Sequence, residues 1–305
     1  MAQLDPKCPH GDLLFDQPLA TYCSWRVGGK ADRLFRPRDK EGLVAFLQEL
    51  PATEPVFWLG MGSNLLIRDK GIRGTVINTR GRLNFMKMED SNTVYAETGV
   101  LCPHLARFCS EQALSGAEFF AGIPGTLGGA LAMNAGAFGG ETWILVDKVL
   151  TVSRDGVRRI RDRNFFDVGY RHVSSPSGEF FLAAKLKLKS GDGIESHKTI
   201  KALLARRTAT QPLNLPSCGS VFRNPPNDYA ARLIEASGLK GYTIGGASVS
   251  EKHANFIVNK NRARAEDIEA LIEFMRAEVE RKQGIRLIPE VRIVGEPALR
   301  GEYSK

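Results

Sequence analysis

Residues 122–140, GIPGTLGGALAMNAGAFGG, constrain this chain more than any other stretch. Seven glycines and a proline stand among alanines with no charged side chain, so the segment suits neither an ordinary core nor a solvated face. Glycine lets backbone approach backbone or ligand closely. A neutral glycine-rich turn feeding a helix presents N–H groups to an anion, most often a phosphate. A flexible linker is the plain alternative, but Ile123, Leu127, Leu131, Met133 and Phe138 are apolar residues that pack. The segment reads as a cofactor cradle.

The remainder of the composition sets limits. A chain of 305 residues has room for two or three cores. No apolar run approaches the roughly 20 residues that span a bilayer. Acids and prolines stand near the N-terminus where a signal peptide has its apolar core, so a cytoplasmic protein is expected, without membrane insertion. The net charge of +8 favours anionic partners, but the charge is scattered. Its densest group, 154–163, interleaves acids around Asp155-Gly156 and reads as a solvated hairpin. Cysteines 8, 23, 102, 109 and 218 include no CxxC pair, which fits a reducing compartment. Cys102 and Cys109 read as core filling. The histidines lack metal-ligand spacing, so no metal site is assigned; His104 and His253 are expected to hydrogen-bond locally.

Strand and helix patterns alternate without long repeats, giving a mixed α/β or α+β class. Four segments are expected: an N-terminal extension (1–18), a first subdomain (19–75), a second (76–210) and a C-terminal domain (211–305). In the first subdomain, 31–36 and 56–59 read as strands and 39–50 as a helix capped by Asp39. In the second, 93–98, 145–153 and 181–188 read as strands, and 103–113 as a helix with proline first. A basic helical connector covers 195–210. Beyond it, Asp228 caps 229–237 before Gly238, 267–283 forms a helix stopped by Gly284, and 287–294 closes as a strand.

A second glycine turn, GMGSN at 60–64, follows a predicted strand. It is not GxGxxG, and no helix with a following acid succeeds it, so the usual dinucleotide fold is disfavoured. Paired with 122–140, it makes two backbone nests around one extended anionic cofactor. Gly60, Gly62, Ser63 and Asn64 would contribute from the first nest. Gly122, Pro124, Gly125, Gly128, Gly129, Asn134, Gly136 and Ala137 would contribute from the second. Ser63 and Asn64 add side-chain donors for phosphate oxygens.

GMGSNLLIRD at 60–69, AGIPGTLGGALAMNAGAFGGE at 121–141, YR at 170–171, CGSVFRNP at 218–225 and KHANFIVN at 252–259 occur in one order. Together they closely resemble the UDP-N-acetylenolpyruvoylglucosamine reductase family, FAD enzymes that complete UDP-N-acetylmuramate in peptidoglycan synthesis. The resemblance covers about 19–295. The short span between Arg171 and Ser220 resembles the subclass without an extra tyrosine-bearing loop, so no tyrosine is nominated as a lid.

The resemblance implies an FAD cradle of the vanillyl-alcohol-oxidase type under a third domain. It implies a ping-pong reaction in which NADPH reduces non-covalently held FAD and leaves. The enolpyruvyl ether of UDP-N-acetylglucosamine then takes the hydride at its vinyl carbon. Three residues match catalytic positions. Ser220, by type alone a turn serine, matches the donor of the proton to the resulting enolate. Arg171, by default a surface arginine, matches the holder of the substrate carboxylate, which a guanidinium fork suits. Glu290, otherwise an edge-strand charge, matches the glutamate beside that carboxylate and would need a pKa raised by burial to carry a proton. Tyr170, Arg223, Asn224, Lys252, His253 and Asn255 lie in matched segments where diphosphate and sugar are expected. Arg26 lies in a segment that resembles one near the flavin, and its role stays open. Arg264 stands where the family often has a threonine N-cap, which should weaken that cap.

Two rivals remain at this stage. One is an FAD oxidase or dehydrogenase of the same cradle superfamily. Its common covalent flavin attachment through histidine or cysteine has no donor in the glycine loops, although Cys102 and His104 lie upstream. The other is a basic nucleic-acid-binding protein, against which scattered charge and absent aromatic-basic interleaving both argue. A monomer without nucleic-acid partners is expected.

Overall fold

A computed structural model describes residues 3–5, 8–174 and 178–297. Its first sheet has the order Gln3–Asp5, Gly11–Pro18, Lys30–Pro37, Ile72–Asn78, Val56–Leu59. Gly11–Pro18 pairs antiparallel along the whole of Lys30–Pro37, from Gly11 opposite Pro37 to Pro18 opposite Lys30. The expected N-terminal extension is therefore corrected: much of it is an integral strand. Helix α1 (Lys40–Glu49) starts where the Asp39 carboxylate accepts from Gly42 N at 2.7 Å, and Phe46 stacks on Phe35 of the sheet.

The second subdomain holds α2 (Cys102–Glu111), α3 (Leu127–Met133), α4 (Thr142–Leu145) and α5 (Gly193–Thr210). Its five-stranded sheet runs Arg158–Asp162, Val146–Ser153, Glu179–Lys187, Thr93–Glu97, Met86–Met88, every neighbour antiparallel. The basic stretch at 154–163 is the expected hairpin, turning at Gly156 with φ +82°. Cys102 and Cys109 lie on the buried face of α2, and burial pushes the Cys109 thiol up to about 12. The two sheets meet through Phe35, Leu43, Phe46, Ile77, Val152 and Leu182.

The C-terminal region carries α6 (Ala230–Ala236), α7 (Ala265–Gln283) and a three-stranded sheet. It does not own a separate core. Val221, Leu233, Ile268, Leu271 and Met275 pack in one cluster with Leu19, Trp25, Leu34 and Leu66 of the first subdomain. The closing strand is shorter than the alternation predicts, Arg292–Val294, and pairs in parallel with Leu65–Ile67. The start of α7 also departs from expectation. Asp69 Oδ1 and Oδ2 accept from Ala265 N and Glu266 N at 3.1 and 3.0 Å, and Asp267 accepts from Arg264 N at 2.9 Å. The cap missing from position 264 comes from the segment after the first glycine turn.

Candidate active site

Backbone pairing brings Ser220 and Glu290 together. Val221 N donates to Asn255 O, Phe222 N to Asn255 Oδ1, and Asn255 Nδ2 to Phe222 O, at 2.9, 3.0 and 2.8 Å. On the opposite edge Glu290 N donates to Val221 O and Arg223 N to Ile288 O. The extended segment after Ser220 is thus gripped on both sides. Gly219 turns the chain just before it at φ +73°, a conformation that favours glycine. The first glycine turn joins this frame, because Asn64 Nδ2 donates to Glu290 O and Arg292 N donates to Asn64 O.

Arg171 arrives from the turn between Asp167–Gly169 and His172–Ser174, itself held at φ +54°. A left-handed non-glycine residue costs free energy and is retained where a side chain must be aimed. Its guanidinium donates to Glu290 Oε1 at 2.9 Å, Gly136 O at 2.9 Å and Asn134 O at 3.3 Å. Side-chain exposure is 16% for Arg171 and 13% for Glu290, so the pair is largely withdrawn from water. Burial pushes the Glu290 carboxyl above its ordinary value, against the pull of Arg171 and Arg223. Ser220 lines the same cleft, of about 270 Å³, and among the described residues its hydroxyl has no partner. A buried acid whose pKa is raised by burial, a guanidinium fork and a free hydroxyl in one cleft can bind a carboxylate and hand on a proton.

The cleft continues into cavities of about 220 and 240 Å³, forming one trough. Ser63, Asn64 and Met133 line the first join, and Gly60, Thr126 and Gly129 the second. None of the backbone N–H groups of 61–64 donates to an acceptor among the described residues, and Gly62 lies at φ +63°. Such consecutive free amides form an anion nest. A Cβ at Gly129 would have its nearest atom 3.9 Å away, so a side chain there would stand in the trough. At the far end Trp58 stacks on Phe180, and Trp58 Nε1 and Thr98 Oγ1 are buried without partners among the described residues. A long ligand with an anionic middle and a flat, polar-edged end fits this trough.

Every predicted cofactor residue lines the trough except Asn134. That side chain is buried, donating to Glu141 Oε2 and Gly169 O while accepting from Trp143 N; it fixes the Arg171 turn. Of the predicted substrate residues, Tyr170 and Asn224 line the catalytic cleft. Arg223 stands behind it, donating to Arg171 O, with Nε buried and unpartnered among the described residues. Lys252, His253 and Asn255 are not brought to the wall. Lys252 Nζ donates to Thr208 O, His253 Nδ1 accepts from Asn255 N, and the Asn255 amide accepts from Phe222 N and donates to Phe222 O. Arg292 is the residue that sequence reasoning missed. It is exposed, lines both inner cavities, and has no side-chain partner among the described residues. Its signal was available, because in an extended chain it lies on the same side as Glu290 two residues earlier.

An FAD-binding domain model matches residues 31–160, which contain both nests. Fold and site thus define an FAD-dependent oxidoreductase. The UDP-N-acetylenolpyruvoylglucosamine reductase C-terminal domain model matches residues 211–294, carrying Ser220 and Glu290. UDP-N-acetylenolpyruvoylglucosamine reductases of Methylococcus capsulatus and Alkalilimnicola ehrlichii are 61% and 60% identical over 286 residues, covering 94% of this chain and 94% and 96% of theirs. The crystal structure of the corresponding reductase from Thermus caldophilus superposes with a TM-score of 0.79 at 30% identity, covering 96% of this chain and 99% of that one. The chain belongs to the UDP-N-acetylenolpyruvoylglucosamine reductase family.

Proposed function

We propose that this protein reduces the enolpyruvyl ether of UDP-N-acetylglucosamine to UDP-N-acetylmuramate, a peptidoglycan precursor, with NADPH as electron source. The observation that carries this reading is the meeting of Ser220, Arg171 and Glu290, from three separate segments, at the mouth of the trough. Bound FAD supplies two-electron hydride chemistry there. Arg171 engages the substrate carboxylate through its planar fork, with Glu290 at 2.9 Å orienting the guanidinium. Once a hydride has added to the vinyl carbon, negative charge develops on the adjacent carbon and its carboxylate. Arg171 spreads that charge, and a protonated Glu290 hydrogen-bonds the carboxylate oxygen. Ser220 hands its proton to the carbon. Pro124, Phe138 and Phe222 in the cleft wall limit water around the reacting centre.

The test separates the half-reactions. Ser220→Ala should keep flavin bleaching by NADPH while slowing recovery of absorbance with the enolpyruvyl ether by ~10²–10⁴-fold, the usual worth of a positioned acid. Equal losses in both halves would remove Ser220 from proton delivery.

A further inference from the structure

Two buried thiols meet where the first subdomain touches the C-terminal region, and the reaction above uses neither. Cys23 and Cys218 are free and only 4% and 3% exposed. Leu65 O accepts from Cys23 Sγ at 3.1 Å and from Cys218 Sγ at 3.3 Å, so one carbonyl gathers both sulfurs. Cys218 also hydrogen-bonds Cys23 directly. Gly62 O, in the first glycine turn, accepts from Ser24 N at 3.1 Å and from Cys218 Sγ at 3.6 Å. Neither sulfur is sealed off. Cys218 lines the catalytic cleft beside Gly219 and Ser220, and Cys23 lines a neighbouring chamber of about 840 Å³. The other buried thiols differ in chemistry: burial pushes Cys102 and Cys109 up, so they stay protonated and inert. The hydrogen bond from Cys218 instead lowers Cys23 below the ordinary thiol value, against burial. Burial raises Cys218. A thiol inclined to ionise thus sits against one that keeps its proton, the pairing that a nucleophile and a resolving thiol require.

We propose that Cys23 and Cys218 form an oxidative modification site, a dithiol that hydrogen peroxide closes to a disulfide and that thereby displaces Ser220. The Cys23 thiolate attacks one peroxide oxygen, so that an S–O bond forms and the O–O bond breaks. The departing hydroxide takes up the proton that Cys23 gave away and becomes water. Cys218 Sγ then attacks the sulfenic sulfur: the S–S bond forms, the S–O bond breaks, and hydroxide leaves with the Cys218 proton as a second water. Two thiols lose two electrons, and one peroxide is reduced to two waters. A disulfide holds its sulfurs about 2.05 Å apart, well inside the contact distance of two thiols. Neither sulfur can then donate to Leu65 O, and residue 218 must draw toward Cys23. Val221 is pinned by Asn255 O and by Glu290 N, so the movement falls on 218–220. A displacement of about 1 Å at a positioned group can cost ~10²-fold in rate.

The test treats holoenzyme carrying Cys8→Ser, which removes the half-buried thiol, with hydrogen peroxide and then catalase. Thiols titrated in guanidinium should fall by two, the intact mass should fall by two hydrogens, and peptide mapping should find Cys23 joined to Cys218. In the oxidised form, flavin reoxidation by the enolpyruvyl ether should slow by ~10-fold or more while bleaching by NADPH is kept. That split rests on the proposed reaction; the peptide map does not. Dithiothreitol should restore both the thiols and the rate. Adding Cys23→Ser should abolish the joined peptide and the reversible loss together, and the Cys8→Ser titration decides alone should the double variant not fold. No joined peptide, or a loss that only irreversible sulfinic or sulfonic oxidation explains, overturns the dithiol. A joined peptide with both half-reactions unchanged overturns the displacement of Ser220. Untreated enzyme inert to NADPH or to the ether would instead overturn the proposed reaction, with the peptide map still deciding the dithiol.

Discussion

Arg171 and Glu290 stabilise each other's charged forms, yet burial drives Glu290 the other way and prevails. The folded chain therefore holds the Glu290 proton more tightly than the unfolded chain does. Its contribution to stability is full below the ordinary glutamate range, about 4.3, and is lost as pH rises through the higher folded value. Glu290→Gln should flatten this part of the melting-temperature profile. If the proton is used in catalysis, kcat/KM for the ether should fall on the alkaline side with Glu290 ionisation, and the Glu290→Gln variant should lack that limb. An identical limb in the variant would assign it to another group. Arg171→Lys keeps the charge but loses the fork, and should cost ~10²-fold in kcat/KM for the ether. These roles were poorly legible from residue chemistry alone. A serine after glycine, an arginine after tyrosine and a glutamate after proline are commonplace, and only the match to the family singled them out.

Elements divide between those that face the cofactor and those that hold such faces in place. Gly129 belongs to the first kind: it sits in α3 with ordinary φ and open space where a Cβ would go. Gly129→Val should leave the apoprotein folded while weakening FAD binding by tenfold or more, read by flavin retention on gel filtration. Gly62 is different, because its Cβ would meet Tyr22 O at 2.0 Å at φ +63°, so Gly62→Ala should damage the fold itself. Both glycines were legible as a nest, since their neutrality and spacing need no partner to be read. Asn134 and Asn255 were not, because an amide that clamps backbone and one that binds ligand look alike in sequence. The cap on α7 was illegible for a related reason: Asp69 reaches it across 196 positions. Asp69→Ala should remove acceptors from two N–H groups and lower stability by ~1–2 kcal/mol in urea unfolding. A change below a few tenths would show that Asp267 suffices alone.

At the scale of the molecule, alternating patterns gave a mixed α/β or α+β class and the family resemblance implied the cradle, but neither showed how the C-terminal region is held. Residues 68–69, the end of a motif assigned to the cofactor, are in fact its dock. Arg68 pairs bidentately with Glu269 of α7 and donates to Gly295 O, while Asp69 caps the same helix. Beneath them Trp25 is fully buried, and its Nε1 donates to Ile257 O at 2.7 Å. The first subdomain and the C-terminal region thus share one apolar cluster, and the trough mouth, with Ser220 and Glu290 on one side and Ser63 and Asn64 on the other, is the seam between them. A reaction that needs these four groups in register is served by a seam that cannot part without exposing core. Trp25→Ala should therefore destabilise both regions together, by ~3–5 kcal/mol, as one cooperative transition. Far-UV circular dichroism and flavin release should report the same lowered midpoint. Two separated transitions, with the C-terminal region melting alone, would show that its core stands by itself and that the seam is an ordinary domain contact.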